Sequence, residues 1–277
     1  MLEGVIDLRE RFGWNGSVVR WARFGNSGTP VVLCHGTPWS SFVWRTVIED
    51  LRHDHRVFVW DMVGYGQSDQ PDGDVSLATQ GELLAALTEY WGVAPAHVIA
   101  HDYGGAVALR AHLLHGMAVR SFALIDVVAL RPWGSPFFRL VADNTAVFSA
   151  LPENLHEALL REYISGASAA GLRPEVMDAL VAPWLGNGQA AFYRQIGQAQ
   201  ERFTDEIEAR YKDIAVPTMI IWGTNDSWIP PDRAERLHTA IPKSVVHYIN
   251  GAGHLVHEDR PVELTVAVHR WLQQLAS

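Results

Sequence analysis

Cysteine is nearly absent from this chain of 277 residues, which contains only Cys34. A single cysteine cannot form an internal disulfide, and this scarcity fits a reducing compartment, so we expect a cytoplasmic protein. Cys34 follows the apolar run Val31-Val32-Leu33. In that position a catalytic thiol is the less favoured interpretation, and a small buried hydrophobic side chain is the favoured one.

The chain also lacks a surplus of basic residues and long hydrophobic runs. Lys and Arg total 22 against 31 Asp and Glu, so the formal net charge is −9, which argues against nucleic acids and anionic membrane surfaces as partners. The longest apolar runs have the length of a strand, whereas a helix needs about 20 apolar residues to cross a bilayer. Residues 1–4 show no basic-then-apolar signal pattern. We therefore expect neither a membrane span nor a secretion signal.

Metal-ligand spacing is missing as well. His53 and His55 flank only Asp54 in a polar turn, and no cluster of His, Cys and Asp has the spacing of a metal site. We expect neither a metal nor a cofactor. The sequence leaves the oligomeric state open, with a homodimer as one option.

Short apolar strands alternate with helical patterns along most of the chain. Residues 31–34 and 56–60 are runs of strand length, and the apolar spacing of residues 77–91 predicts a helix. This alternation predicts an α/β fold with a mostly parallel sheet, right-handed crossovers and helices on both faces. An Asn-Gly turn within residues 5–25 predicts a hairpin. Further strands are expected at residues 121–127, 217–222 and 245–249, and a last amphipathic helix at residues 262–275.

Strand patterns vanish between about residue 129 and residue 214. Prolines and glycines divide this stretch into short helical pieces, such as residues 155–164 and 190–202. The stretch is too long for a loop and too apolar for disorder. We interpret residues 129–214 as a helical lid inserted into an α/β core formed by residues 1–128 and 215–277.

The most informative segment surrounds Asp102. A β-branched run ends at Ala100, two polar residues follow, and Gly104 and Gly105 then open an Ala- and Leu-rich helix. Small residues two positions before and after the apex are typical of a strained strand-to-helix elbow, which projects a nucleophile clear of the sheet. Most such elbows carry Ser at the apex. Asp at that place predicts a carboxylate nucleophile.

A nucleophile needs a base, and the base needs an orienting acid. His254 follows the last predicted strand on a loop of small residues, which places it at the carboxyl edge of the sheet, although a surface histidine is the alternative. Asp226 and Asp126 each follow an apolar strand and compete to be the acid. The loop of Asp226 can fold back toward His254, which favours Asp226, whereas Asp126 could hold the first segment of the lid. His257 is expected outside the site.

Backbone N–H groups near the elbow can stabilise negative charge that develops on oxygen. Tyr103 follows the nucleophile at the start of a helix, where the helix dipole favours negative charge. Thr37 lies in a His-Gly-Thr-Pro loop and can point its N–H inward from the facing strand. We expect these two residues to form the oxyanion hole, although the tetrapeptide alone also fits an ordinary tight loop.

Five motifs that bear on chemistry follow one another along the chain. They are His35-Gly36-Thr37-Pro38, Asp61-x-x-Gly64-x-Gly66-x-Ser68, His101-Asp102-Tyr103-Gly104-Gly105, Trp222-Gly223-x-x-Asp226 and Gly251-x-Gly253-His254. Together they resemble the α/β-hydrolase superfamily and, more narrowly, its epoxide hydrolase and haloalkane dehalogenase branch. The resemblance implies a two-step hydrolysis without a cofactor. An Asp attacks carbon to form an alkyl-enzyme ester, and a His-activated water then cleaves that ester.

Departures from the branch bear on the substrate. Haloalkane dehalogenases usually pair an Asn with a Trp to hold the halide, and this chain has Thr37 and Tyr103 at those positions. Fluoroacetate dehalogenases carry arginines where Tyr103 and Ala106 stand here, although their acid matches the place of Asp126. The resemblance therefore implies neither the usual halide clamp nor a carboxylate-binding site.

Epoxide hydrolases direct two lid hydroxyls, usually of tyrosines, at the ring oxygen. Tyr193 lies in a segment that resembles the second of these, with packing inside a helix as its alternative role. Phenylalanines stand where the first is expected, and Tyr163 is a substitute for it. We expect Tyr193, Trp184, Phe138 and Phe148 to contact the substrate, with simple packing between lid and core as the alternative.

The sequence thus predicts a hydrolase in which Asp102 attacks an epoxide carbon and His254 activates water. The expected partners are a small apolar electrophile and water. Dehalogenation by the same nucleophile is the first alternative. The second is a hydrolase-like protein that uses only the His/Asp pair on an ester or another small molecule, or that binds a small molecule without turnover.

Overall fold

The computed structural model describes residues 6–276, in which eight strands form one sheet. The strands are β1 (Glu10–Trp14), β2 (Ser17–Phe24), β3 (Pro30–Cys34), β4 (Arg56–Trp60), β5 (Ala96–His101), β6 (Val119–Ile125), β7 (Thr218–Gly223) and β8 (Ser244–Ile249). The helices are α1 (Arg45–Leu51), α2 (Leu77–Trp91), α3 (Tyr103–His115), α4 (Pro136–Asp143), α5 (Thr145–Ser149), α6 (Glu153–Ser165), α7 (Pro174–Val181), α8 (Gly188–Gly197), α9 (Arg202–Glu208), α10 (Asp232–Ala240), α11 (Val256–Asp259) and α12 (Pro261–Ala276).

The sheet is parallel except at one edge, as the alternating pattern predicts. Its strand order is β1-β2-β4-β3-β5-β6-β7-β8, and only the pairs β1–β2 and β2–β4 are antiparallel among the described strands. Every residue of β3, β5 and β7 is buried, which explains why these strands are continuous apolar runs. Because β3, β5, β6 and β7 are parallel, their carboxyl ends meet at one edge of the sheet.

The N-terminal hairpin has the predicted turn. Asn15 and Gly16 both adopt positive φ, 46° and 82°, as a type I′ turn requires. Trp14 pairs with Ser17 across the turn. The start of the predicted hairpin at Val5, and residues 1–4 with their expected lack of a signal pattern, lie outside the described residues.

Helices fill the chain between β6 and β7, and we call residues 126–217 the helical segment. It contains α4 to α9 and, among its residues, no strand. The predicted helix at 155–164 corresponds to α6, but the helix predicted over 190–202 was wrong at its end, because α8 stops at Gly197. There the side chain of Gln198 turns to bind the backbone of Gly73 and Val75. The predicted domain division at residues 129 and 214 stays a prediction.

The predicted strand at residues 121–127 is displaced by two residues. It begins at Val119 and ends at Ile125, because Asp126 adopts a φ of 44° that takes the chain out of the sheet. Cys34 is fully buried, and burial raises the pKa of its thiol to about 12, so the thiol stays protonated and is no nucleophile. No helix within residues 6–276 combines the length and the apolar character needed to cross a bilayer.

Candidate active site

The elbow predicted at Asp102 is present and strained. Strand β5 ends at His101, Asp102 has φ 51° and ψ −121°, and α3 begins at the next residue. Such a conformation is costly for a residue with a Cβ and persists only where its surroundings hold it. The backbone N–H of Asp102 donates to the carbonyl of Ile125 at 3.3 Å, and its carbonyl accepts from the N–H groups of Gly105 and Val128 at 3.0 and 3.1 Å.

Two glycines allow the elbow to sit this close to β3. A Cβ on Gly104 would overlap the backbone carbonyl of Cys34, so any larger residue would push α3 away from the sheet. A Cβ on Gly36 would overlap the carboxyl group of Asp102. Gly104 is therefore required by the close approach of α3 to β3, as the elbow pattern of the sequence indicated, and Gly36 by its close approach to the nucleophile.

His254 lies between two carboxylates. Its Nε2 is 3.3 Å from Oδ2 of Asp102, and its Nδ1 donates to Oδ2 of Asp226 at 2.9 Å. All three side chains are almost fully buried. The ring of Trp228 stacks on the imidazole at a centroid distance of 5.1 Å, and His101 Nε2 donates to the His254 carbonyl at 3.0 Å. The structure thus brings together the predicted nucleophile, base and favoured acid.

The charges of this triad depend on one another. Burial alone would lower the pKa of His254, but the carboxylates of Asp226 and Asp102 outweigh it and raise that pKa well above its usual value. Burial alone would raise the pKa of Asp226, but the imidazole and the N–H groups of Trp228 and Ile229 lower it. These N–H groups donate to Oδ1 of Asp226 at 2.8 and 2.9 Å. Asp226 is therefore an ionised acceptor fixed at both oxygens.

Asp126, the competing acid, lies beside Asp226. Its Oδ1 accepts from the N–H of Gly223 at 2.9 Å, and its Oδ2 has no hydrogen-bond partner among the described residues. Burial and the neighbouring carboxylate of Asp226 raise the pKa of Asp126 well above its usual value, so this carboxyl group is neutral. The hydrogen bond of the imidazole goes to Asp226, as the sequence favoured.

One group among residues 6–276 has the donor set of a cation site. It is formed by Asp126, Asp226 and His254, whose ligand atoms lie within 4.8 Å of one another. A cation bound there would compete for Asp226 Oδ2, which the imidazole already uses. These residues therefore fit a role as base and acid better than a role as metal ligands.

The predicted oxyanion donors flank the nucleophile. The backbone N–H of Thr37 donates to Oδ1 of Asp102 at 2.7 Å. Tyr103 is the first residue of α3, where the backbone N–H groups have no partner inside the helix. Both donors can therefore serve the oxygen that carries the charge.

A cavity of about 60 Å³ opens between the sheet edge and the helical segment. It is lined by Thr37, Asp102, Tyr103, Val128, Trp133, Gly134, Ser135, Phe138, Tyr163, Trp228 and Ile229. The Tyr103 hydroxyl is buried and has no hydrogen-bond partner among the described residues. Burial raises the pKa of Tyr103 and of Tyr163, and the nearby charge of Asp102 acts in the same direction. Both hydroxyls therefore remain protonated donors beside the nucleophile.

Of the four residues expected to contact the substrate, only Phe138 lines this cavity. Tyr193 is fully buried elsewhere, with its hydroxyl 2.8 Å from Nδ1 of His156. Trp184 donates its indole N–H to the carbonyl of Pro38 at 2.8 Å. Phe148 packs against Tyr193, at a ring-centroid distance of 5.7 Å. These three side chains pack within the helical segment and onto the core, which was the alternative role predicted for them.

Sequence reasoning missed two residues near the centre. Trp228 stands two positions after Asp226, and that spacing was the available clue to its stacking on His254. Gln195 lies on α8 and bonds the side chain of Thr37, with no local signature to mark it. His257 was expected outside the site. It is buried behind the triad, and its ring lies 4.6 Å from that of His101.

Comparisons with known proteins agree with this architecture. The family model described as alpha/beta hydrolase fold matches residues 29–261. A solved structure of an alpha/beta hydrolase fold protein from Burkholderia ambifaria is 45% identical to this chain, with a TM-score of 0.93. That similarity covers 96% of this chain and 98% of the other.

More distant relatives carry names that describe an activity. The chain is 24% identical over 262 residues to haloalkane dehalogenase 2 of Mycobacterium tuberculosis, with 87% of each chain covered. It is 24% identical over 292 residues to a cis-3-alkyl-4-alkyloxetan-2-one decarboxylase of Shewanella oneidensis, covering 99% of this chain and 91% of the other. The similarity thus extends over the strands and the helical segment alike.

Proposed function

We propose a reaction for this chain on the premise that it belongs to the alpha/beta hydrolase fold family. The reaction is hydrolysis of a small epoxide through an ester to Asp102. One observation carries the proposal: a carboxylate occupies the apex of the elbow, and its Oδ2 lies 3.3 Å from a buried imidazole that Asp226 orients. A carboxylate at the apex attacks an electrophilic alkyl carbon, whereas the serine that usually stands there attacks the carbonyl carbon of an acyl group.

In the first step, the two oxygens of Asp102 have different tasks. Oδ1 is held by the N–H of Thr37, so it becomes the carbonyl oxygen of the ester, and Oδ2 forms the bond to the substrate carbon. The carbon–oxygen bond of the ring breaks, and the ring oxygen takes a proton from a tyrosine hydroxyl. Tyr103 is suited to this because it lines the cavity and its hydroxyl has no partner among residues 6–276, and Tyr163 lines the same cavity.

In the second step, His254 takes a proton from water, and the oxygen of that water attacks the ester carbonyl. The charge formed on Oδ1 is stabilised by Thr37 N–H and by the N–H of Tyr103. Collapse breaks the bond between Oδ2 and the carboxyl carbon, so Oδ2 leaves as a hydroxyl of the diol, to which His254 returns its proton, and the water oxygen takes its place in the carboxyl group. The proton that the carboxyl group then loses replaces the one that the tyrosine donated.

Formation of the ester itself prepares the base. In the resting site, the charge of Asp102 contributes to the raised pKa of His254, which favours an imidazolium. Esterification removes that charge, so the pKa of the imidazole falls and the neutral base becomes available when water must be activated. The order of the two steps is thus supported by electrostatics.

The test is capture of the ester. His254→Gln, incubated with 1,2-epoxypropane, should gain a mass equal to one epoxide on the peptide that contains residue 102. Asp102→Asn should gain none, and wild type should release the diol. If His254→Gln stays unmodified by both 1,2-epoxypropane and 1-bromopropane, hydrolysis through a carbon ester is wrong.

Dehalogenation is the second candidate, favoured by the relative named haloalkane dehalogenase 2 and by the free Tyr103 hydroxyl, which can also donate to a leaving halide. Wild-type protein distinguishes the two: bromide release from 1-bromopropane with no diol from 1,2-epoxypropane would assign the dehalogenase. A decarboxylase activity like that named for the Shewanella relative has no separate support in the site.

The proposal also retains three expectations from the sequence, which concern the lid, the partners and the location. Residues 129–214 act as a lid over a core of residues 1–128 and 215–277, because both parts line the cavity. The partners are a small electrophile and water, which fits a cavity of about 60 Å³ with mostly apolar walls. The single Cys34 supports a cytoplasmic location.

A further inference from the structure

Gln195 links the helical segment to the oxyanion loop. Its side-chain oxygen accepts hydrogen bonds from the hydroxyl of Thr37 at 2.9 Å and from the hydroxyl of Tyr65 at 3.0 Å. Gln195 and Tyr65 are only 3% and 1% exposed, so water does not compete for these bonds. The same Thr37 donates its backbone N–H to the nucleophile, Asp102.

A second residue of the helical segment holds the same turn. Trp184 donates its indole N–H to the carbonyl of Pro38 at 2.8 Å, and its ring packs edge-on against Tyr65 at 5.4 Å. The turn at Thr37 and Pro38 is therefore bonded by the helical segment on one side and by Asp102 on the other. Gly36 gives it no side chain with which to anchor itself.

We propose that Gln195 is a positioning residue that makes the oxyanion donor of Thr37 depend on docking of the helical segment. This inference rests on the proposed function, in which Thr37 N–H binds Oδ1 of Asp102. The Gln195 oxygen holds the Thr37 hydroxyl in one orientation. Because the hydroxyl is fixed, the Thr37 backbone is fixed too, and its N–H stays directed at Asp102. A site whose helical segment has moved away then lacks an aligned donor.

Removing this acceptor should slow hydrolysis of the ester, because that is the step in which negative charge develops on Oδ1 of Asp102. Removing an oxyanion donor outright typically lowers turnover about 100- to 1000-fold. Gln195 acts on the donor only through Thr37, so a smaller loss, about 10-fold, is expected. Two buried hydroxyls would also lose their acceptor, which lowers stability, so activity alone is not a sufficient readout.

Gln198, the residue that directly follows α8, provides a matched control. Its side chain also makes two hydrogen bonds to the core, accepting from Val75 N–H at 2.7 Å and donating to the Gly73 carbonyl at 3.0 Å. Neither bond touches the turn at residues 37–38. Gln198→Met therefore weakens docking of α8 but keeps the acceptor of the Thr37 hydroxyl. Gln195→Met weakens docking and also removes that acceptor.

The first measurement is the fate of the ester. With 1,2-epoxypropane, Gln195→Met should accumulate the Asp102 ester, with kcat and KM both about 10-fold lower and kcat/KM little changed, whereas Gln198→Met should not accumulate it. Thr37→Val should accumulate the ester as Gln195→Met does, and Thr37→Ser, which keeps the hydroxyl, should accumulate less of it than Thr37→Val. The double variant of Thr37→Val and Gln195→Met should be no slower than the slower single variant, because both substitutions remove the same bond. Wild-type ester hydrolysis in Gln195→Met, or equal accumulation in Gln198→Met, overturns the inference.

The second measurement does not depend on the reaction. Hydrogen exchange of the peptide covering residues 35–39 should be faster in Gln195→Met than in wild type and unchanged in Gln198→Met. If His254→Gln forms no ester, the proposed function fails and this exchange still decides the inference. If the ester forms but exchange is equal in both glutamine variants, the inference fails and the function stands.

Discussion

Asp126 and Asp226 lie side by side beneath one imidazole, yet only Asp226 is bonded to it. The Nδ1 of His254 donates to Asp226 at 2.9 Å, while Asp126 binds the N–H of Gly223. Two buried carboxylates this close do not both ionise, and burial assigns the proton to Asp126. The pair therefore consists of one charged acceptor and one neutral acid.

This difference predicts unequal effects of the same substitution. Asp226→Asn should slow hydrolysis of the ester about 1000-fold or more, because the amide cannot stabilise the imidazolium. Asp126→Asn should stay within about threefold of wild type, because an amide closely resembles a neutral carboxylic acid. Single-turnover decay of the ester is the measurement. A larger loss in Asp126→Asn than in Asp226→Asn would reverse the assignment of the acid.

Tyr103→Phe should move activity and stability in opposite directions. Loss of the proton donor should slow opening of 1,2-epoxypropane about 100-fold. Because the buried hydroxyl has no hydrogen-bond partner in the described part of the chain, its removal should leave stability unchanged or raise it by about 1 kcal/mol. Urea unfolding and the rate of ester formation test both halves, with Tyr163→Phe as the comparison. Equal ring opening in wild type and Tyr103→Phe would remove this residue from the mechanism.

The buried His101 predicts a loss of stability in acid. Burial, with the neighbouring His254, lowers the pKa of His101 to about 3, so the folded protein keeps this imidazole neutral while the unfolded chain protonates it below about pH 6.5. The unfolding free energy should therefore fall with decreasing pH by up to about 1.4 kcal/mol per pH unit for this group, between pH 6.5 and pH 3.

His101→Gln removes that titration and retains a donor for the His254 carbonyl. Urea unfolding at pH 7 and pH 5 should show a smaller difference in this variant than in wild type. His254 has the opposite sign, since its raised pKa gives stability below pH 6.5 that is lost as pH rises through the folded-state value. An unchanged pH dependence in His101→Gln would show that His101 is not kept neutral by folding.

Gly36→Ala should affect the nucleophile more than the fold. The added methyl group would overlap the carboxyl group of Asp102, which must turn away from Thr37 and His254, so ester formation should fall about 100-fold or more. Gly13→Ala is the control, because a Cβ there has no neighbouring heavy atom within 4 Å. Near-normal ester formation in Gly36→Ala would mean that the carboxyl position is less constrained than these contacts indicate.

Much of the site could be predicted because strand ends are encoded locally. Asp102 and Asp226 follow the buried strands β5 and β7, His254 follows the partly exposed edge strand β8, and parallel strands bring their carboxyl ends to one edge. The displaced end of β6 shows the limit of this reasoning. The positive φ of Asp126 is imposed by its neighbours, and an apolar run does not reveal it.

The helical segment was less predictable because its short helices are oriented by packing. Tyr193 and Gln195 are two residues apart on α8, which separates them by about 200° around the helix axis. Once Gln195 faces Thr37, Tyr193 must face away, and its hydroxyl meets His156. Periodicity gives this relation between the two residues but not which of them faces the core.

The amino-acid order alone indicated the parallel sheet, the strained elbow with its carboxylate and the candidate imidazole, since each shows as a pattern of residues close together in the chain. Tertiary packing alone decided that Tyr103 and Tyr163 share the cavity, that Asp126 keeps a proton, and that Gln195 holds Thr37. The reason is physical: a cavity wall and a buried charge depend on which surfaces meet, and those surfaces come from residues far apart in the chain, such as Thr37 and Gln195, which are separated by 158 positions.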